Sequence, residues 1–192
     1  LVGYIVSRFP DVEKVIVSSD KDFFQLCDDK TIVYRPIQDK AVTKQAILDE
    51  LSIRPRNFAL ARAIVGDKSD NLAGVPRAGL KTVAKRFPLL MEDRDVYLNE
   101  LIQVCDKPEN KAKIFESIVE HKGLVSENYK LMQLYSPAIS SRTKAKIDWT
   151  LRECCQDFNL MEINKMMTLD GFGNYNFTQL WGTMRNISLN KD

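Results

Sequence analysis

The chain has 192 residues, with 28 Lys+Arg against 26 Asp+Glu and a net charge of +2. That length suits one domain or one and a part, and near-neutrality means that any nucleic-acid footprint must come from local clustering. No apolar run approaches a membrane span and no signal peptide is visible, so a cytoplasmic protein without a membrane role is expected.

Leu1 to Phe9 reads as the end of a helix stopped by Pro10. The chain opens inside an apolar-periodic pattern, so a larger domain is expected to continue before Leu1. Lys14 to Ser19 is a β-branched run that fits a buried parallel strand. Asp22 to Cys27 reads as a helical turn, and Thr31 to Arg35 as a strand with a turn near Pro36. Thr43 is placed to cap a helix running to about Leu51. Pro55 sits where another helix can start, and Phe58, Ala61, Ile64 and Val65 fall on one side of it. A loop runs to about Gly79, and a short helix from Leu80 to Phe87 is closed by Pro88. From Asp93 the pattern is helical throughout, with helices expected near 94–105, 109–121, 143–157, 160–168 and 177–186. Gly123, Pro137 and Gly171 to Asn174 mark breaks. Strands confined to the first part, followed by helices alone, describe one edge of an α/β sheet (residues 1–92) and a helical region (93–192).

Cys27, Cys105, Cys154 and Cys155 form no Cys-x-x-Cys pair, and His121 is the single histidine. This argues against a structural zinc site and for reduced thiols.

Two segments carry pairs of aspartates. Asp20 and Asp22 follow the first strand, and an extended backbone would point both to one side, at the carboxyl end of the sheet where α/β proteins bind ligands. Asp67 and Asp70 are three apart, a spacing that shares one face of a helical turn. Hard carboxylate oxygens suit Mg²⁺, and paired metal ions can stabilise the attacking and leaving oxygens of a phosphodiester displacement. The plainer alternative for each aspartate is a helix cap or a turn.

The loop after Asp70 contains Gly74 and Gly79 with Pro76 between them, and no acid occurs between Asn71 and Met91. Gly74 and Gly79 permit close backbone approach or positive φ, and the helix beginning near Gly79 offers free N–H groups to a phosphate. Arg77, Lys81, Lys85 and Arg86 add the charge that tracks a nucleic-acid backbone without reading bases. The plainer alternative is an amphipathic helix whose lysines face water.

Ser18-Ser19-Asp20-Lys21-Asp22-Phe23 and Gly66-Asp67-Lys68-Ser69-Asp70-Asn71, continuing through Gly74-Val75-Pro76 and Gly79-Leu80-Lys81-Thr82, resemble the 5′-nuclease family. That family comprises flap endonucleases, the 5′→3′ exonuclease domains of bacterial DNA polymerases, and phage enzymes that remove RNA primers. The resemblance runs from Leu1 to about Phe87. Beyond Asp93 it rests on helical character and on Asn128-Tyr129-Lys130-Leu131-Met132, and the compact helical end suggests a phage-type member.

The resemblance implies the C-terminal part of a PIN-like parallel sheet, a helix–three-turn–helix DNA-binding element and a helical tail. It implies a cluster of Asp20, Asp22, Asp67 and Asp70 holding two Mg²⁺ ions, with Mn²⁺ as a substitute, and a monovalent cation held by the loop in some members. It assigns Asn71 to Gly79 and the following helix to duplex DNA. The implied reaction is metal-dependent phosphodiester hydrolysis near a 5′ end or flap junction, on flap DNA or an RNA primer–DNA hybrid. A sliding clamp and a single-strand-binding protein are the implied replication partners, in a phage-infected cell if the gene is a phage's. Arg77 stands where the family often has glycine. The family's first strand, helical arch and a further acidic motif are expected before Leu1. The chain alone is accordingly expected to be incomplete and poorly active as a nuclease, and the rival reading is a non-catalytic or truncated duplex-DNA-binding module.

Overall fold

The computed structural model describes residues 1–107, 112–136, 138–153, 159–172 and 175–189. Cys154 and Cys155, Pro137 and the Gly173–Asn174 pair lie outside them. Two compact units are defined by contact, Leu1–Ala138 and Ile139–Asp192.

Helix α1 (Val2–Arg8) leads into β1 (Lys14–Val17), which pairs in parallel with β2 (Thr31–Arg35), Val15 opposite Ile32 and Val17 opposite Tyr34. A tight turn with Asp39 at φ 47° reverses the chain into β3 (Lys40–Val42), which pairs antiparallel with β2. The sheet is therefore small and mixed, in the order β1-β2-β3, rather than purely parallel. A three-residue strand is too short for its alternation to show in the sequence.

Strand β1 also departs from expectation. It lies at a sheet edge, and Val15 and Val17 remain 60% and 65% exposed, so its β-branched run is not buried on both faces. Between β1 and β2 the chain makes a 3₁₀ helix, Lys21–Leu26, that buries Phe24, Gln25 and Leu26.

The Thr43 side chain accepts from the Ala46 N–H at 3.2 Å and starts α2 (Lys44–Leu51). Pro55 opens α3 (Pro55–Val65), which is buried nearly all round: Phe58, Ala59, Leu60, Ala61, Ala63 and Ile64 are enclosed. Such a helix is the centre of a core rather than its wall. It packs on the 3₁₀ helix, with the Phe24 and Phe58 rings 5.8 Å apart, on α4 (Leu80–Arg86) and on α7 (Lys122–Met132). Helices α5 (Leu98–Cys105) and α6 (Lys113–Glu120) complete the unit.

Helix α7 occupies a stretch where Gly123 reads as a break. At that glycine an added Cβ would meet nothing within 4 Å, so it is tolerated in the first turn. By contrast, a Cβ on Gly3 would stand 1.9 Å from the Leu134 carbonyl, so α1 lies hard against the chain leaving α7.

The second unit contains α8 (Ser141–Glu153), α9 (Leu160–Leu169) and α10 (Phe177–Leu189). Among the described residues no helix is long and apolar enough to cross a membrane. Cys27 and Cys105 are free and buried, and burial pushes their thiols up to about 12 and about 11.

Candidate metal centre

The turn after β1 fixes the first pair. Ser18 continues the sheet by donating its N–H to the Tyr34 carbonyl at 2.9 Å, and its hydroxyl accepts from the Asp20 N–H at 3.1 Å. Asp20 then caps the 3₁₀ helix: its Oδ1 accepts from the Asp22 N–H at 2.8 Å. The capping role thus belongs to Asp20, which leaves the Asp22 carboxylate free to turn toward α3.

The second pair is held by a closed loop, not by a helical turn. Asp67 and Leu72 exchange backbone hydrogen bonds at 2.9 and 2.7 Å as an isolated antiparallel bridge, with Asn71 in the left-handed region between them. Gly66 sits at φ 76°, and a Cβ there would lie 2.4 Å from the Gly74 N. A Cβ on Gly74 would lie 1.8 Å from the Val65 carbonyl, so its close approach is to the protein's own backbone. Within the loop the Asp67 Oδ1 accepts from both the Ser69 N–H (2.8 Å) and the Ser69 hydroxyl (2.5 Å).

The two segments meet. Asp22, Asp67 and Asp70 each offer a carboxylate oxygen, and these oxygens lie within 4.8 Å of one another. Asp22 and Asp67 are half-buried and Asp70 is exposed. Asp20 stands outside this group of three, though its charge is felt at Asp22. Burial raises the Asp22 carboxyl above its ordinary value; Arg62 opposes that shift, while Asp20 and Asp67 add to it. The Ser69 hydroxyl and N–H hold the Asp67 carboxyl below the ordinary range, with help from Arg62. A converging set of hard oxygen donors with excess negative charge fits a divalent cation such as Mg²⁺ or Mn²⁺.

Three side chains that hold this geometry have no role assigned to them from the sequence. Arg62, in the last turn of α3, bridges both halves: Nε lies 3.4 Å from the Asp22 Oδ1, and Nη2 donates to the Asp67 Oδ2. A lone arginine in the apolar run Phe58 to Val65 was the available signal. Buried Gln25 donates to the Asp22 and Met132 carbonyls (2.9 and 3.1 Å) and accepts from the Leu134 N–H (2.8 Å), tying the Asp22 segment to the end of α7. Buried Asn128 donates to the Ala63 and Ala73 carbonyls, tying the loop to α3 and α7.

Past the loop, Arg77, Lys81, Lys85 and Arg86 are all exposed, while Val83, Ala84 and Phe87 face the core. Gly79 is the N-cap of α4 with an ordinary φ of −96° and nothing within 4 Å of an added Cβ. The left-handed residue here is Arg77, at φ 67°.

Similarity to known proteins covers part of the chain. The chain is 32% identical over 99 residues to a 5′-3′ exonuclease of Buchnera aphidicola, a match covering 52% of the chain and 34% of that protein. It is 41% identical over 83 residues to DNA polymerase I of Streptococcus pneumoniae, covering 40% of the chain and 9% of the polymerase. Over this part of its length the chain is similar to 5′-3′ exonucleases and to bacterial DNA polymerase I. Its fold matches that of the bacteriophage T5 5′-exonuclease with divalent zinc bound: TM-score 0.60 at 20% identity, over 70% of the chain and 48% of the T5 protein. No family model matches the chain. The chain therefore spans about a third of the Buchnera relative and about half of the T5 one.

Proposed function

We propose that the chain carries part of the centre of a metal-dependent 5′→3′ exonuclease or flap endonuclease that hydrolyses phosphodiester bonds near 5′ ends or flap junctions, as in primer removal. The observation that carries this reading is the convergence of Asp22, Asp67 and Asp70 from two segments far apart in the chain. In this reading Asp22, Asp67 and Asp70 hold divalent metal, two Mg²⁺ ions in the full site, and Asp20 joins from the edge. Bound metal supplies charge neutralisation at the phosphate and a water of lowered pKa. The protein's share is to hold the carboxylates in register: Ser69 binds the Asp67 carboxylate directly, and Gln25 and Asn128 hold the backbone of the two segments.

The sheet and helices are read as the C-terminal part of a PIN-like domain, and α3, the loop and α4 as a helix–three-turn–helix element. Gly74, Arg77, Gly79, Lys81, Lys85 and Arg86 are assigned to the backbone of duplex or flap DNA, with an RNA primer–DNA hybrid as the related substrate. A monovalent cation on the loop carbonyls, replication partners such as a sliding clamp, and a bacterial cytoplasm during phage infection belong to the same proposal.

The test is cleavage of a 5′-flap duplex, with and without Mg²⁺, by this chain extended through the preceding acidic motif, beside Asp67→Asn and Asp70→Asn in the same protein. The expected result is Mg²⁺-dependent cleavage lost in both variants, together with loss of the Mg²⁺-induced rise in melting temperature. Salt-sensitive duplex binding with neither cleavage nor a metal-induced rise supports the non-catalytic module instead.

A further inference from the structure

The acidic cluster already contains a cation of its own. The Arg62 guanidinium lies between the two halves, with Nε 3.4 Å from the Asp22 Oδ1 and Nη2 on the Asp67 Oδ2, while Nη1 reaches the Gly66 carbonyl at 3.5 Å. Its side chain and that of Asp22 are each only 21% exposed, and that of Asp67 14%, so water screens these contacts weakly. The buried Nε makes no hydrogen bond, which marks the fork as held by charge on one side and by a hydrogen bond on the other.

Both Asp67 oxygens are therefore engaged: Oδ1 by Ser69 and Oδ2 by Arg62. A metal ion ligated by Asp67 has to take one of them. Releasing Ser69 opens the short loop that carries Asp70. Releasing Arg62 moves only the end of a long, flexible side chain. Arg62 and a divalent ion thus compete for the same oxygens, and the arginine is the partner that yields.

We infer that Arg62 is a resident counter-cation of the aspartate cluster, holding Asp22 and Asp67 together without metal and leaving the Asp67 Oδ2 when a divalent ion binds. This rests on the metal-site reading above. Arg62 stabilises the metal-free protein and weakens the apparent metal affinity, so the site fills only at metal concentrations that overcome the ion pair. It is a positioning residue: it acts on the ligands and not on the reacting atoms.

The test is calorimetric titration of the whole chain with MnCl₂, comparing wild type, Arg62→Gln and Arg62→Lys, with melting temperatures in EDTA. Removing one positive charge from the cluster should tighten Mn²⁺ binding by about tenfold. R62Q should also melt lower than wild type in EDTA and gain more from saturating Mn²⁺. R62K, which keeps the charge, should bind like wild type. Should R62Q fail to fold, the Arg62 Nε–H resonance of ¹⁵N-labelled wild type, assigned by comparison with R62K, gives a second readout. It should shift with saturating Mg²⁺, and an unmoved resonance overturns the inference. Wild-type binding with equal or weaker binding by R62Q overturns the inference and leaves the metal site standing. Absence of binding in both proteins overturns the inference and the metal site together.

Discussion

The carboxamide of Asn128 donates to the carbonyl of Ala73 at 2.8 Å, across 55 residues of chain, and to that of Ala63 at 3.0 Å. One buried side chain on α7 thereby fixes the end of α3 and the far limb of the loop bearing Asp67 and Asp70. Asn128→Ala removes both donors and leaves the carbonyls without them. Unsatisfied buried acceptors predict a loss of about 2–3 kcal/mol in denaturant unfolding. Hydrogen exchange should accelerate first in the Gly66 to Val75 peptide. Uniform acceleration across α3 and α7 would mean that Asn128 serves the core and not the loop.

The aspartates of the cluster should respond to pH in opposite senses. Asp67 lies below the ordinary 3.8, so its stabilisation is complete above that value and is lost as pH falls through the folded one. Asp67→Asn should therefore be less stable than wild type at neutral pH, by about 1 kcal/mol, and the gap should close below pH 3.8. Asp22 is raised by burial, so stability falls as pH rises from the ordinary 3.8 through the raised value, above which the loss is complete. Asp22→Asn should match or exceed wild-type stability at neutral pH while binding metal more weakly. Urea unfolding at stepped pH resolves the two; a parallel loss in both variants would contradict the assigned shifts.

The two loop glycines should prove unequal. A Cβ at Gly74 would meet the Val65 carbonyl carbon at 2.3 Å as well as its oxygen, and backbone there has nowhere to move. Gly74→Ala should cost more than about 3 kcal/mol or prevent folding, as large effects follow from such clashes. At Gly79 the space is open, and Gly79→Ala should cost no more than about 1 kcal/mol, the loss of a tolerable N-cap. Thermal melts of the pair would show the contrast directly.

Arg77 combines an exposed charge with left-handed backbone. A non-glycine residue in that region is strained by about 1–2 kcal/mol, part of which glycine gives back through its freer unfolded chain. Arg77→Gly should be neutral to about 0.5 kcal/mol more stable. If Arg77 neutralises one phosphate, the slope of log K against log salt should flatten by about one unit, and by about two when Lys81 is neutralised as well. A more stable variant with an unchanged slope would remove Arg77 from the DNA interface.

Local chemistry made much of the first unit legible: β-branched runs announced β1 and β2, Thr43 announced α2, and Pro55 and Pro88 bounded α3 and α4. Asp22, Asp67 and Asp70 stood out because carboxylates after a strand and beside a glycine turn are unusual company. What stayed hidden depends on tertiary placement. The buried stripe of α7, Val125, Asn128 and Met132, includes an asparagine that looks polar until its two carbonyl partners are known. The bridge made by Arg62 exists only once α3 brings it between two loops, and Asp20 and Asp22 exchange capping and cluster roles through a turn geometry that residue spacing does not encode.

The close approach of Gly3 to Leu134, and the bonds of Gln25 to Met132 and Leu134, give the assembly of this unit an order in time. Those contacts close loops of more than a hundred residues, the slowest kind of step in forming a small domain. A ribosome extends its chain by about 5–20 residues per second, so the segment bearing Asp22 waits several seconds for the partners that fix it. The Asp22 segment is made well before the partners that lock it in place.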